Sequence, residues 1–343
     1  MPRKIRLPIA SLSPYEDLKA AKDTMSARYL RPRAVGGFRA LAAASSPRPE
    51  NNLSGIGVGE KYVEGRPTGI LAVKFLVRIK YPKGQLSAEE MLPEEIDGMP
   101  VDVEEVGIFR RIRTTARKAV KAPSPRTKIR PAQPGSSVGF ESPLFRMAGT
   151  FGAVATDGER RYVLSNNHVL ANEDQLPAGA PIFQPGLLDG GNPATDQIAA
   201  LTRAVPLQAA TFNKVDAAIA EVTDPALVKR DILFIGPPAG VQPAQIDMAV
   251  HKFGRTTSYT VGRVTSINTD VTVQYEVGEI SFEDQILIVG RSGSQFSAAG
   301  DSGSLILERG TNYGVGLLFA GSRTHTIANH LGDVLQALGV SLL

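Results

Sequence analysis

The 343-residue chain contains no cysteine and no tryptophan, and only four histidines. Without cysteine there is no disulfide framework, no thiolate metal site and no cysteine nucleophile, which suits a reducing compartment. No stretch approaches the ~20 apolar residues needed to span a bilayer. The basic start, MPRKIRLPIASLSPYEDLKAAKD, is followed by no apolar run of signal-peptide length. A cytoplasmic protein without membrane contact is therefore expected. None of the histidines (His168, His251, His325, His330) has a second histidine or a carboxylate at metal-ligand spacing, so neither a metal nor a cofactor is expected.

What is present is mostly strand and turn material. Apolar residues make up 42%, and 34 Gly and 24 Pro accompany many Val, Ile and Thr. That mixture points to numerous short strands rather than a helical bundle. Charge is unevenly spread: residues 1–134 carry 25 Lys+Arg against 14 Asp+Glu, whereas 135–343 carry 13 against 20. Such an asymmetry separates the chain into units. Residues 1–52 read as an N-terminal helix, begun by Ser13-Pro14-Tyr15-Glu16, and a linker. Residues 53–109 read as a small α/β domain with strands at Ile56–Val63, Ile70–Ile79 and Val101–Val106 and a short helix from Ala88. It contains no catalytic constellation and is read as structural or regulatory.

Residues 110–148 read as a basic, proline-containing linker. Nine Lys or Arg and no acid lie between Arg110 and Arg130. A basic run can bind nucleic acid, but this one has no aromatic after Phe109 to stack on bases. A solvated linker lying on the acidic C-terminal unit is favoured over a nucleic-acid partner. Residues 149–343 alternate short strands with turns, including Val261–Ile267 and Val271–Glu276, and end in a helix over Ile327–Leu338. Many short strands in about 190 residues suggest a closed or double barrel.

The chemistry concentrates around "FSAAGDSGSLIL", Phe296 to Leu307. A Gly-Asp-Ser-Gly turn before an apolar strand can hold the Ser302 hydroxyl outward. The N–H groups of Gly300 and Ser302 could then face a developing oxyanion. A serine nucleophile needs a base, and His168 stands where a strand gives way to a polar turn, in Tyr-Val-Leu-Ser-Asn-Asn-His. A carboxylate must fix the imidazole tautomer; Asp216, in the small apolar run Val215-Asp216-Ala217-Ala218, must have a partner because an isolated buried charge is costly.

The order His168, Asp216, Ser302 is the chymotrypsin order. The region Gly149–Leu338 resembles a trypsin-like (chymotrypsin-fold) serine peptidase through Asn166-Asn167-His168, Val215-Asp216-Ala217-Ala218 and Gly300–Ser304. Gly254-Arg255-Thr256-Thr257 with Gly262 resembles the opening of the second barrel in bacterial members. Over residues 53–343 the chain is similar to intracellular bacterial members with an N-terminal domain, and more distantly to plant narrow-leaf proteases.

The resemblance implies a mainly β fold, a chymotrypsin-like double β-barrel preceded by the small α/β domain. It implies a serine endopeptidase acting on protein or peptide substrates, with His168, Asp216 and Ser302 catalytic and Gly300 and Ser302 forming the oxyanion hole. Phe296 would occupy the base of the specificity pocket, beside Ala320 and Ser322, favouring small or apolar side chains. Ala320 takes the place of the serine that often supports the triad aspartate, which would leave Asp216 one hydrogen bond short. Arg255 would hold Asp301 behind the nucleophile, in place of a new N-terminal ammonium. Self-association is left open. The alternative is a catalytically silent protease-fold module used for binding.

Overall fold

The computed structural model describes residues 14–30, 32, 46–111 and 124–343. Ser13, the expected helix cap, and the middle of the basic run lie outside the described residues. The first helix, Pro14–Tyr29, buries Leu18, Ala21 and Met25 against Ile56, Val58, Val73 and Phe75. Beneath it, strands Leu53–Val63 and Arg66–Val77 form a hairpin. Its turn residues, Glu64 (φ 48°) and Gly65 (φ 73°), take the left-handed conformations that match strand twist in a two-residue hairpin. The turn is therefore shorter than expected, and the second strand starts at Arg66 rather than Ile70. Met99–Glu105 then runs parallel to it, Val73 opposite Val101. In place of a helix at Ala88 there is a short 3-10 turn, Lys83–Gln85.

The rest of the chain curls into two barrels. The first sheet joins, in order, strands Ser341–Leu342, Ala153–Thr156, Arg161–Ser165, Ala218–Val222, Gln197–Ala204, Pro181–Phe183, Ser137–Phe140 and Gly149–Thr150. Val138, Phe140, Phe151, Val163, Ile198 and Leu201 fill it. The expected linker thus ends earlier than position 148, because Ser137–Phe140 is already a barrel strand with Phe140 in the core. The second barrel uses Ala249–Gly254, Ser258–Gln274, Glu279–Gly290, Leu305–Glu308, Tyr313–Gly321 and His325–His330. Val264, Ile288, Ile306 and Leu318 lie in its core. The terminal helix is shorter than expected, Leu331–Leu338, because His325–Ile327–Asn329 is consumed in pairing with two strands.

Two expected strands, Val261–Ile267 and Val271–Glu276, are a single one, Ser258–Gln274. With Glu279–Gly290 it makes a hairpin that extends beyond the barrel. The extension serves the N-terminal unit: Leu53–Val63 pairs antiparallel along it, from Gly55 opposite Val271 to Gly59 opposite Ser266. One 12-stranded sheet therefore runs from the second barrel into the N-terminal unit. Lys22 of the first helix clamps the junction, its ammonium 3.0 Å from both carboxylate oxygens of Asp270.

The junction depends on close backbone approach. A Cβ on Gly59 would lie 2.4 Å from the Thr265 carbonyl oxygen and 2.8 Å from Lys74 Cδ. Gly59→Ala should overpack this seam and cost about 1–3 kcal/mol. A thermal melt read against wild type checks this; an unchanged midpoint would show that the seam is not tightly packed.

Candidate active site

His168 lies in the single helical turn Asn167–Leu170, entered directly from strand Arg161–Ser165. The two asparagines before it are structural. Asn166 donates to the Asp216 carbonyl (2.7 Å), and Asn167 donates to Asp174 (2.6 Å) and to the Val205 carbonyl (2.8 Å). These bonds tie the turn to the segment carrying Asp216. The imidazole Nδ1 sits 2.5 Å from Asp216 Oδ2, and the His168 backbone N–H reaches Oδ1 at 3.3 Å. A carboxylate can only accept, so the pairing assigns the proton to Nδ1 and leaves Nε2 with its lone pair.

Asp216 is completely buried. Burial by itself pushes its carboxyl up, but the His168 pairing and the hydrogen bonds outweigh that and hold it below the usual carboxylate value. The missing hydrogen bond expected from Ala320 does not occur: the Tyr275 hydroxyl donates to Asp216 Oδ2 at 2.6 Å. Asn329 accepts the Asp216 backbone N–H (3.1 Å) and is itself held by Gln285 (2.7 Å). Sequence reasoning missed Tyr275, Asn329 and Gln285. The only signal for Tyr275 was general, that a buried tyrosine hydroxyl needs a partner.

Ser302 stands between Gly300 (φ 96°) and Gly303 (φ 92°), left-handed conformations that favour glycine at both places. Gly303 is also sterically required, since a Cβ there would lie 2.1 Å from Ser165 Oγ. Among the described residues, neither the Gly300 nor the Ser302 N–H has an acceptor within the protein. Thr150 braces the loop, its N–H donating to the Ser302 carbonyl (2.8 Å) and its hydroxyl to the Gly300 carbonyl (2.9 Å). The neighbouring Gly149 lets the His168 turn approach: a Cβ there would meet Val169 at 2.7 Å and the Ser302 carbonyl at 3.1 Å. The Ser302 hydroxyl itself donates to the Phe319 carbonyl at 3.3 Å, and His168 Nε2 is buried without a hydrogen-bond partner.

The fold around these groups is a chymotrypsin-like double β-barrel. The chain is similar over residues 201–325, which include Asp216 and Ser302, to peptidase family S64. It is also similar to several solved structures. One is a glutamic acid-specific serine protease (19% identity, 62% of this chain and 100% of that one, TM-score 0.44). Others are protease A of Thermobifida fusca (16%, 61% and 97%, TM-score 0.44) and a Cellulomonas bogoriensis chymotrypsin (18%, 61% and 97%, TM-score 0.42). No curated protein matches the chain.

The support behind Ser302 differs from expectation. Asp301 is fully buried, but its cation is Lys252, with Nζ 3.4 Å from Oδ2. The same carboxylate accepts from Thr256 N–H (2.8 Å), Thr257 N–H (3.1 Å), the Thr257 hydroxyl (2.6 Å) and Ala298 N–H (2.9 Å). Arg255 points away and grips Asp189 of the first barrel through Nε (2.5 Å) and Nη2 (2.6 Å). The physical reason is geometric. The Gly-Arg-Thr-Thr turn aims its threonine N–H groups at Asp301, which leaves the arginine side chain to bridge the barrels. Burial lowers the Lys252 ammonium below its ordinary range, opposed by Asp301.

Phe296 also differs from expectation. Its ring is 1% exposed and packs with Val264, Ile288 and Leu318 in the second barrel core, 5.7 Å from Lys252 Nζ. It is a core residue and not the floor of an open pocket. Ala320 is buried in the strand, and Ser322 accepts N–H groups from Thr324 and His325. The strand edge at Ala320 and Gly321 is paired antiparallel with Arg111 and Arg110 of the short strand Phe109–Arg111.

Lys252→Met should strand the Asp301 carboxylate without a cation and cost about 3–5 kcal/mol, the usual scale for breaking a buried pair. Denaturant unfolding of the variant measures this. Arg255→Met should destabilise through Asp189, and because Arg255 also donates to Thr256 (3.2 Å), whose N–H holds Asp301, the two losses should couple rather than simply add. A double variant no worse than Lys252→Met alone would contradict any contribution of Arg255 beyond the Asp301 network.

Proposed function

We propose that the protein is a serine endopeptidase that hydrolyses peptide bonds of protein or peptide substrates through an acyl-enzyme. The observation that carries this reading is the His168 imidazole, held at 2.5 Å by a buried Asp216, with an unpaired Nε2. Ser302 shares the packing around Gly149 and Thr150 with the turn that carries this base.

In the reaction, the Ser302 hydroxyl leaves the Phe319 carbonyl and gives its proton to His168 Nε2 as Oγ bonds to the scissile carbon. The carbonyl oxygen becomes an oxyanion, to which the unused N–H groups of Gly300 and Ser302 donate. Asp216 stabilises the imidazolium without itself taking a proton. His168 passes its proton to the leaving amine nitrogen as the C–N bond breaks. Water, deprotonated by the same imidazole, then bonds to the acyl carbon, and the imidazolium returns the proton to Ser302 Oγ as the acyl–oxygen bond breaks. Catalytic hydrogen bonds are commonly long or misaligned without substrate. The rotated serine is compatible with this scheme. The cysteine-free composition supports a cytoplasmic place of action, which cell fractionation can check.

The second reading, a silent protease-fold binding module, is favoured by the same rotated hydroxyl and by the near-complete burial of Ser302. A fluorophosphonate probe separates the two. Labelling of native protein at Ser302, found by intact mass and peptide mapping and lost on heating, is expected of the peptidase; no labelling would favour the module. With a cleaved reporter peptide in hand, Ser302→Ala should reduce turnover on the order of a millionfold, and His168→Ala about as much. The double variant should be little worse than either, because the residues act as a unit. Multiplying losses would argue that they do not share a mechanism.

A further inference from the structure

Tyr275 is the one hydroxyl donor to Asp216 among the described residues, and its ring packs in the core with Phe282 and Phe319. It occupies the tip of the long hairpin formed by Ser258–Gln274 and Glu279–Gly290, where its N–H bonds the Gly278 carbonyl at 2.8 Å. The hairpin crosses from the second barrel to the His168 loop, and Glu173 of that loop accepts the Val277 N–H at 3.1 Å. The tyrosine ring is immobilised on both sides, near-parallel to Phe282 (6.0 Å, 29°) and edge-on to His168 (5.9 Å, 80°). Its hydroxyl and the His168 Nδ1–H meet on the same carboxylate oxygen, at 2.6 and 2.5 Å.

We propose that Tyr275 is a positioning residue for the reaction, acting through Asp216 to set the orientation and basicity of His168. This rests on the serine-peptidase reading above. Two donors on one oxygen leave the carboxylate little rotational freedom, which keeps the imidazole plane and tautomer constant. The phenol also draws negative charge from the oxygen that faces Nδ1, so it limits how strongly Asp216 stabilises the imidazolium. Burial and the Asp216 charge both push the phenol well above its ordinary range, so it remains a donor wherever the enzyme works.

The other charged groups around this cluster are Glu173 on the His168 loop, Arg111 on the Phe109–Arg111 strand and Glu276 on the hairpin turn. Arg111 neutralises the two acids through Nε–Glu173 (2.7 Å) and Nη2–Glu276 (3.0 Å). The hairpin that places Tyr275 is the one whose edge the N-terminal unit covers from Gly55 to Gly59. The N-terminal unit and Tyr275 are therefore held on the same hairpin.

Tyr275→Phe keeps the ring and removes only the hydroxyl. Turnover should fall roughly tenfold or more, the scale of one hydrogen bond to a charged group, with KM little changed. The acid limb of the kcat/KM profile should move to higher pH. The sign follows from the charge: with one donor gone, Asp216 attracts the imidazolium more strongly, and His168 must lose its proton to act as base. A readout independent of hydrolysis is the imidazole titration of His168, followed by NMR in a Ser302→Ala background with and without Tyr275→Phe. An upward shift there supports the proposal even if no peptide is ever cleaved. An unmoved His168 titration would overturn it, whether stability fell or not. Loss of peptidase activity as a reading would instead come from failed labelling of Ser302, which leaves the titration result standing.

Discussion

Asp216 is a carboxylate with no solvent-exposed surface, and its need for partners organises the centre of the molecule. A buried charge is tolerated only when its oxygens are fully engaged. Here the carboxylate is engaged by His168 and the Tyr275 hydroxyl, while Asn166 and Asn329 hold the backbone carbonyl and N–H of the same residue. The partners come from three places: the His168 turn, which also carries Asn166, the Tyr275 hairpin and the strand His325–His330 that carries Asn329. Satisfying one aspartate therefore aligns the first barrel, the second barrel and the long hairpin at once.

A similar logic operates behind Ser302. Asp301 and Asp189 are both acids at the barrel interface, and the chain divides Lys252 and Arg255 between them. A planar guanidinium suits the bidentate contact across the gap, whereas a compact ammonium fits in the space beneath the Phe296 ring. Asp301 gathers four hydrogen bonds in addition to its cation, so the Gly300–Gly303 loop is braced from behind by partners within the chain. The arrangement resembles in chemistry what the sequence led one to expect, with a different residue supplying the charge.

The N-terminal unit is less separate than its composition implies. Its first strand extends the second barrel's sheet, and its last described strand, Phe109–Arg111, lies between Ser258–Gln274 and Tyr313–Gly321. Arg111 then reaches the His168 loop through Glu173. His325 of the second barrel meets Glu104 of the N-terminal unit at 3.0 Å, beside Lys74. Burial and these partners compete at Glu104, and the partners prevail, holding its carboxyl down at about 2. The junction is consequently built from buried polar pairs as well as a backbone ladder.

The sequence by itself determined the local chemistry. Gly-Asp-Ser-Gly specifies a left-handed turn around Ser302, Asn-Asn-His ends a strand on His168, and alternating apolar residues specify most barrel strands. These depend on neighbours within a few positions, where conformational preference and side-chain period act directly. Only the tertiary structure decided the partners: Tyr275 on Asp216 from 59 residues away, Lys252 rather than Arg255 on Asp301, Phe296 in the core, and one strand where two were expected. A hydrogen bond or ion pair depends on which side chains converge in space. Sequence spacing leaves that convergence open, and the packing of two barrels and a hairpin around buried charges closes it.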